Sequence, residues 1–327
     1  MKCMLFLAQF APTNGETVPT TTPEEEFYAN TYHIPIYNIL KNGGYNFVSS
    51  SNVNVLITNH SKFDLVWSVY NRLWFRNSEI FVQSLCEYYG IPYIGAAPNI
   101  RALVEDKSLS KQLAEHLNIP TPKWVVASSR YPLSVIPPFA GSYFIKPRFG
   151  SASIGIDETS LCEKWEDVLK KANEYYASNI EVIVEQYIDG IYYGVPVMLN
   201  EENDILIAIP HYQTSTKKGN IITNSQKRFT EPGMCRFLSN NDALNKILFH
   251  YTKSYFSEMQ PCDYARIDFI VEAKTGIPYF LEVNTLMNLG QKGGFVYSFL
   301  NSGFNSYESI IHHILSLGFK KLNKQQP

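Results

Sequence analysis

The fold is decided by a stretch that reads DYARIDFIV at 263–271, KTG at 274–276 and PYFLEVN at 278–284. Two runs rich in β-branched and aromatic residues flank a short segment that is typical of a turn, so the pattern predicts a β-hairpin. Because side chains alternate along a strand, Arg266 and Asp268 share one face. The apolar residues between them occupy the opposite face.

Symmetric pairing of this hairpin about Thr275 predicts that Asp268 lies opposite Glu282 and that Arg266 lies opposite Asn284. Two opposed carboxylates, with Cβ atoms about 4.5–5.5 Å apart, repel each other. A divalent cation removes that repulsion, and Mg²⁺ prefers one or two carboxylates together with phosphate oxygens of a substrate. The pattern therefore predicts a metal site formed by Asp268, Glu282 and Asn284. The alternative is a solvated polar face whose acids are neutralised by Arg266 or nearby lysines.

Composition excludes several classes of protein. The chain has 327 residues, with 28 Lys+Arg against 30 Asp+Glu, and this balance argues against nucleic acid as a partner. No apolar run reaches the roughly 18–20 residues of a membrane span, so the sequence predicts a soluble protein. The short apolar start, residues 1–8, is predicted to be a buried strand instead of a signal peptide. Five scattered cysteines favour a reducing cytoplasm over disulfides or zinc.

Strands alternate with helices along the first hundred residues, which predicts a doubly wound α/β domain ending near residue 101. Thr22 and Pro23 begin a helix that Gly43-Gly44 end. Further predicted helices cover 78–89, 106–117, 163–176, 241–258 and 306–317. Predicted strands cover 45–48, 53–58, 64–69, 91–93, 123–127, 142–147, 181–187, 192–199 and 204–211.

A lysine and a loop of small residues suggest an anion site. Lys146 ends an apolar strand directly before GSASIG at 150–155, whose backbone amides can approach anionic oxygens closely. The loop matches neither the P-loop nor the dinucleotide-binding glycine pattern. A second loop, 213–231, is polar and too long for a simple connection, so we expect it to close over reacting groups.

Five motifs resemble those of the ATP-grasp superfamily in sequence and in their order along the chain, and they are most similar to the pattern of D-alanine–D-alanine ligases. They are EDK at 105–107, IKP at 145–147, VEQYIDG at 184–190, RIDF at 266–269 and LEVNT at 281–285. The segment QSLCEYYGIPYIG at 83–95 is also similar to that family. The resemblance implies an α/β (α+β) ATP-grasp fold with three domains. These are an N-terminal Rossmann-like domain over 1–101, a central ATP-grasp lid domain over 102–189 and a C-terminal catalytic domain over 190–327.

The same resemblance implies roles for individual residues. Lys107 and Lys146 would bind phosphate oxygens of ATP, Glu185 would accept from the adenine amino group, and Arg266 would stabilise the transferring phosphoryl group. The other implied residues are Ser151, Ser153 and Ile154 over the phosphates, Gln186, Tyr187 and Ile188 around the base, Asp268, Glu282 and Asn284 on Mg²⁺ or a substituting Mn²⁺, and Gly290 with Lys292 at the second substrate.

Positions that would recognise D-alanine depart from the family. The chain has AQFAP at 8–12 and RNSE at 76–79 where the ligases carry their first-substrate motifs, and LMNLG at 286–290 replaces the segment after the metal-binding Asn-Thr. Ile191, Tyr192 and Tyr193 stand where the ligases hold the ribose with an acid, which leaves that contact open. We therefore expect ATP chemistry with other substrates.

The predicted activity is an ADP-forming carboxylate–amine ligation through an acyl phosphate, which makes a peptide bond between amino acids or small peptides. Family analogy suggests a homodimer through the first domain. Three alternatives stay open: a true D-alanine–D-alanine ligase, a nonhydrolysing ATP-binding regulatory module, and transfer of the acyl group to a hydroxyl or thiol.

Overall fold

The computed structural model of the chain describes residues 2–13, 15–70, 78–150, 155–215 and 234–324. Its strands are β1 Met4–Leu7, β2 Phe47–Ser50, β3 Leu65–Ser68, β4 Tyr93–Ile94, β5 Trp124–Ala127, β6 Tyr143–Pro147, β7 Leu161–Cys162, β8 Val182–Gln186, β9 Gly190–Leu199, β10 Ile205–Ile207, β11 His211–Ser215, β12 Met234–Leu238, β13 Tyr264–Glu272 and β14 Pro278–Asn284. Its helices are α1 Pro23–Tyr28, α2 Ile34–Asn42, α3 Asn54–Asn59, α4 Phe81–Tyr89, α5 Pro98–Glu105, α6 Lys107–His116, α7 Trp165–Ala177, α8 Asp242–Glu258, α9 Gly294–Leu300 and α10 Tyr307–Lys324.

The first sheet is parallel, with strand order β2-β1-β3-β4. Its central strand β1 is fully buried, which confirms the prediction for the start of the chain. The predicted strand at 53–58 is wrong, because these residues form helix α3. Asn52 accepts a hydrogen bond from the amide of Asn54 at 2.9 Å, and only Leu56 of the helix is buried. The β-branched residues of this segment therefore do not lie on a sheet.

The predicted helix after Thr22 forms, but a π-helical turn at Ala29–His33 divides it into α1 and α2. The cause lies in Pro35, which has no backbone N–H to donate to the carbonyl of Thr31 one turn earlier. That carbonyl instead accepts a hydrogen bond from the amide of Gln291 at 3.0 Å. Pro35 thus leaves the carbonyl of Thr31 available to hold the loop that contains Gln291.

The second sheet is antiparallel, with order β5-β8-β6-β7. One face packs against α7, where Trp165, Val168 and Ala172 form a single apolar cluster with Ile145 and Val184. The predicted helices at 106–117, 163–176 and 241–258 are confirmed as α6, α7 and α8 with ends shifted by at most two residues.

The third sheet has the order β12-β11-β9-β13-β14, with β10 paired to β9. Its two faces differ in chemistry. Ile267 and Phe269 point into an apolar cluster with Leu248 and Phe256 of α8. Arg266 and Asp268 lie on the other face, as the alternation of the sequence predicts. This polar face is where the candidate site forms.

Helix α10 packs against the first sheet although it follows the third sheet in the chain. Ile310 and Ile314 of α10 lie in one buried cluster with Phe6 of β1 and Trp67 of β3. Within the described ranges, every helix is too short or too polar to cross a membrane.

Candidate active site

The hairpin has the predicted register at its open end. Arg266 pairs with Asn284 and Asp268 pairs with Glu282, so the sequence prediction is confirmed for both pairs. Nearer the turn, Phe269 pairs with Phe280, so the register shifts by one residue and Leu281 is an extra residue in a β-bulge. The bulge lies directly beside the acidic pair, where such irregularities commonly re-aim side chains.

Arg266 and Asp268 form a buried, bidentate ion pair. The guanidinium Nε lies 2.7 Å from Oδ1 of Asp268 and Nη2 lies 2.8 Å from Oδ2. Asn284 donates from Nδ2 to the same Oδ2 at 2.8 Å. Asp268 is 0% exposed, and burial raises the pKa of its carboxyl group although Arg266 opposes that shift. Arg266 thus neutralises Asp268, as the alternative interpretation proposed, but the pair is buried instead of solvated.

The donor chemistry of this patch fits Mg²⁺. Two opposed carboxylates and an amide are the oxygen donors that this ion prefers. A hydrogen bond from Tyr192 also lowers the pKa of Asp268, which favours the charged form that a cation needs. Glu282 and Asn284 line a small cleft together with Lys107 and Gly150, so the metal-binding candidates face the predicted phosphate-binding residues.

Lys107 is positioned by the residue before it. Asp106 caps helix α6 by accepting from the amide of Ser108 at 2.9 Å, and its carboxylate also holds Arg148 through bonds of 3.0 and 2.6 Å. This bidentate pair ties the start of α6 to the segment after β6. The ammonium of Lys107 consequently reaches the carbonyl of Gly150, the first residue of the predicted phosphate loop.

Lys146 and Glu185 lie side by side on β6 and β8. Lys146 Nζ is 2.9 Å from one oxygen of Glu185, and Lys111 Nζ is 3.0 Å from the other. All three side chains are buried. Burial opposes ionisation of Glu185, but the two ammonium groups outweigh it and lower the pKa of the carboxyl group. Each oxygen keeps a second lone pair, so acceptance from an adenine amino group stays a prediction.

The predicted base-lining residues follow directly after this cluster. The amide of Gln186 donates to the carbonyl of Lys123 at 2.7 Å, and that of Tyr187 donates to Ser142 at 2.8 Å. Ile188 is buried, whereas Gln186 and Tyr187 are half-buried. The segment is thus fixed by both neighbouring strands and presents two partly accessible side chains. Their contact with a base stays a prediction.

Several predicted residues fall outside the described ranges. Ser151, Ser153 and Ile154 belong to this group, as does most of the loop predicted at 213–231. Gln213, Thr214 and Ser215 are described, and they belong to strand β11 instead of a loop.

The Gly-Gln-Lys-Gly-Gly sequence at 290–294 predicts a loop with exposed backbone amides, but three of these amides form hydrogen bonds. The amide of Gly290 donates to Oδ1 of Asn288 at 2.7 Å, that of Gln291 donates to Thr31, and that of Gly293 donates to the carbonyl of Gly290 at 2.8 Å. The prediction of exposed amides is therefore wrong for these three groups, because they stabilise the loop itself. Lys292 is exposed, and its contact with the second substrate stays a prediction.

Gly290 is required for steric reasons. A Cβ at this position would collide with the carbonyl oxygen of Thr31 and would lie 2.7 Å from Oδ1 of Asn288. We expect Gly290→Ala to destabilise the protein by about 1–3 kcal/mol, because both contacts involve well-packed groups. Urea unfolding measures this change. Gly276→Asn is the matched control, since Gly276 has open space around it and a φ of +71° that asparagine tolerates.

Sequence reasoning missed four residues that complete the polar surroundings. Lys111 follows Lys107 by one helical turn, a spacing that places both on one helix face and that could have identified it. His211, Gln213 and Arg236 are the others. His211 and Gln213 alternate along β11, but the pairing of β11 with β12 was needed to bring Arg236 beside them.

Comparison with known proteins matches residues 112–316 to the family model "D-ala D-ala ligase C-terminus". That span is more than half of the chain. The chain belongs to the D-alanine–D-alanine ligase family. This confirms the resemblance drawn from the sequence motifs, and it makes the protein an ATP-dependent ligase of the ATP-grasp type.

Two individual relatives each match nearly three quarters of this chain. A D-alanine–D-alanine ligase of Clostridium perfringens strain SM101 is 29% identical over 244 residues, covering 73% of this chain and 76% of that protein. An uncharacterized protein, y4sG, of Sinorhizobium fredii is 25% identical over 250 residues, covering 73% of this chain and 70% of that protein.

Solved structures confirm the ATP-grasp fold of this ligase-family chain. The D-alanine–D-alanine ligase of Bacillus anthracis, complexed with ATP, superposes with a TM-score of 0.74 at 18% identity, covering 99% of this chain and all of that one. The VanG D-Ala:D-Ser ligase of Enterococcus faecalis gives a TM-score of 0.68 at 17% identity, covering 97% and 99% of the two chains.

Proposed function

We propose that this ligase uses ATP and Mg²⁺ to join the carboxylate of one amino acid or small peptide to the amine of a second amino acid. The observation that carries the proposal is the patch where Arg266, Asp268, Glu282 and Asn284 meet across two strands, beside a cleft that also contains Lys107. A protein that merely binds ATP has no need of such charge compensation next to the phosphate site.

The reaction follows from the chemistry of carboxylates. A free carboxylate is a poor electrophile, so a carboxylate oxygen first attacks the γ-phosphorus of ATP and ADP leaves. The amine of the second substrate then attacks the acyl carbon, inorganic phosphate departs with one former carboxylate oxygen, and the amine loses a proton. Such transfers depend mainly on positioning and on the neutralisation of negative charge.

The residues of this chain supply that neutralisation. Lys107 and Lys146 bind oxygens of the nucleotide phosphates, and Arg266 faces the transferring phosphoryl group from a position fixed by Asp268. Asp268, Glu282 and Asn284 hold Mg²⁺, which shields the charge on the phosphate oxygens when it is bound. Lys111 keeps Glu185 ionised when Lys146 turns toward the phosphates, so that one carboxylate oxygen is available to the adenine amino group.

The first-substrate region supports a donor other than D-alanine. Ala8, Phe10 and Ala11 are all buried, and the Phe10 amide donates to Nδ1 of His33 at 3.2 Å. Ala8 and Ala11 lie in one apolar cluster with Met287. Packed apolar groups thus occupy the segment in which the family resemblance places polar recognition of the first D-alanine.

An ADP-release screen over all pairs of L- and D-amino acids, with mass spectrometry of the products, tests the function. We expect ADP and an amide product from a restricted set of pairs. A product from D-alanine alone would make the protein a D-alanine–D-alanine ligase. ADP release without any amide would instead favour transfer to hydroxyl or thiol acceptors, and ATP binding without turnover would favour a regulatory module.

Location and assembly form part of the proposal. All five cysteines are free, which suits a reducing compartment such as the cytoplasm. The family analogy suggests a homodimer through the first domain, and light scattering of the purified protein distinguishes a dimer from a monomer.

Lys107 gives a direct test of nucleotide binding. We expect Lys107→Met to weaken ATP binding by about 10- to 100-fold, because a charge-assisted contact contributes about 1.5–3 kcal/mol. Adenosine lacks phosphates, so its affinity should stay unchanged. Calorimetric titration measures both ligands, and Lys170→Met on the exposed side of α7 is the control. Equal losses for ATP and adenosine would mean that Lys107 acts only through the fold.

A further inference from the structure

A second polar cluster lies on the same face of the third sheet as Arg266 and Asp268. Opposed residues of antiparallel strands share a face, and Arg236 pairs with Gln213, which pairs with Tyr192 of β9. His211, two residues before Gln213, therefore shares that face as well. The nucleotide and metal chemistry described above uses none of these three residues: His211, Gln213 and Arg236.

Arg236 is held only by neutral acceptors among the residues that the structure describes. With the Gln213 amide oriented so that its oxygen faces the guanidinium, that oxygen accepts from Nε and Nη2 at 3.1 Å each. Nη1 donates to the carbonyl of Lys292 at 2.8 Å. Arg266 and Arg148, by contrast, each hold a carboxylate through two bonds. Within the described ranges, Arg236 has no acidic partner within 4.0 Å.

Keeping Arg236 charged at this position also costs free energy. The side chain is half-buried, and burial together with the nearby charge of Arg266 lowers the pKa of its guanidinium to about 10. An anion bound at this point would relieve both effects. The three bonds to Gln213 and Lys292 use three of the five guanidinium N–H groups. One N–H on each terminal nitrogen is left, which matches the two oxygens of a carboxylate.

His211 fixes the distance between this sheet and the loop 290–294. Its ring is fully buried, and Nδ1 lies 3.0 Å from Oγ of Ser298 on α9. A Cβ on Gly194 would come within 2.7 Å of the ring, and one on Gly294 would come closer still. The ring therefore fills the space between β9 and the start of α9. The carbonyl of Lys292, just before α9, is thereby held where Arg236 meets it.

We infer that Arg236 determines acceptor specificity by binding the carboxylate of the acceptor amino acid, and this inference rests on the proposed function. Arg236 shares its sheet face with Arg266 and touches the loop in which the second substrate is expected. A guanidinium held by neutral groups favours an amino acid with a free carboxylate over a simple amine or an amino-acid amide. Arg236 supplies the cation, and Lys292 contributes its backbone carbonyl to hold Arg236.

The experiment compares an acceptor amino acid found in the screen with its carboxamide, in wild type and Arg236→Gln. We expect wild type to prefer the free acid. Arg236→Gln should raise the KM for the acid by about 10- to 100-fold, leave the KM for ATP unchanged, and remove the preference over the carboxamide. Arg236→Lys should restore part of the preference, because it keeps the charge without the planar fork. Arg130→Gln, at an exposed arginine over Tyr131, is the control.

Several outcomes separate this inference from the proposed function. An acid preference that survives in Arg236→Gln but disappears in Lys292→Met would overturn the assignment to Arg236. Equal wild-type turnover of acid and carboxamide would also overturn it, while leaving the ligase function intact. Equilibrium binding of the same two compounds, measured by calorimetry with ADP and Mg²⁺, gives a readout besides turnover. Acid-selective binding that depends on Arg236, without any amide product, would support a carboxylate site at Arg236 but refute both the proposed ligation and the role in acceptor specificity.

Discussion

Replacing Asp268 with asparagine is expected to unfold the protein at markedly lower urea concentration as well as to stop turnover. The substitution leaves the Arg266 guanidinium beside a neutral amide in a site where Asp268 is 0% exposed. Removing one partner of a buried ion pair costs about 3–5 kcal/mol, because the remaining charge is desolvated without compensation. This loss is a large fraction of the stability of an ordinary domain.

A double variant separates the two effects of Asp268. Asp268→Asn combined with Arg266→Met removes both charges and should recover much of the lost stability, whereas turnover should stay abolished. Urea unfolding followed by circular dichroism, together with ADP release, gives both readouts. An Asp268→Asn single variant that unfolds at the wild-type midpoint would show that the pair contributes nothing to the fold.

Glu282→Gln should lower turnover, as Asp268→Asn does, but it should not lower the stability of the protein. Glu282 lies opposite Asp268, and its charge contributes to the raised pKa of that carboxyl group. Removing the repulsion should leave the apo protein at least as stable as wild type. Because Glu282 is a proposed ligand of Mg²⁺, loss of its charge should lower turnover at limiting Mg²⁺ by at least about 100-fold.

The measurement is a Mg²⁺ titration of ADP release in Glu282→Gln and in Glu202→Gln, an exposed acid on a turn of the same region. The expected result is a steep loss for the first variant and none for the second. Turnover close to wild type at limiting Mg²⁺ would remove Glu282 from the metal site. Because Asp268 and Glu282 receive the same chemical change, a difference in stability between the two variants reports on the two hydrogen bonds between Asp268 and Arg266.

The hairpin could be predicted in part because side chains alternate along its strands, which fixes the face of Arg266 and Asp268. Symmetric pairing about Thr275 matches the open end only because the bulge at Leu281 shifts the register by one residue from the pairing beside the turn. The β-bulge at Leu281 could not be predicted, since nothing in the spacing of apolar residues signals an extra residue. The segment 53–58 was predicted wrongly because its β-branched residues resemble a strand, while the turn that Asn52 forms with the amide of Asn54 leads into a helix.

The rest of the candidate site depends on contacts between distant segments. The spacing of Lys111 from Lys107 places both on one helix face, but only the tertiary fold brings Lys111 of α6 to Glu185 of β8. Arg236 can be placed near the candidate site only from its pairing with β11 and its contact with Lys292. Local patterns therefore predicted the candidate metal ligands on one hairpin. The tertiary fold was needed to find Lys111 and Arg236, which come from other segments of the chain.

The packing of α10 on the first sheet bears on how the protein is made. Ile310 and Ile314 complete the cluster around Phe6 and Trp67, so the ribosome has to synthesise α10 before that face is covered. Domains formed by contiguous segments generally fold as they emerge during synthesis. In this chain the strands of the first sheet are synthesised before α10, the helix that covers one face of the sheet. A nascent chain stalled before residue 307 would therefore expose an apolar face to proteases and aggregation.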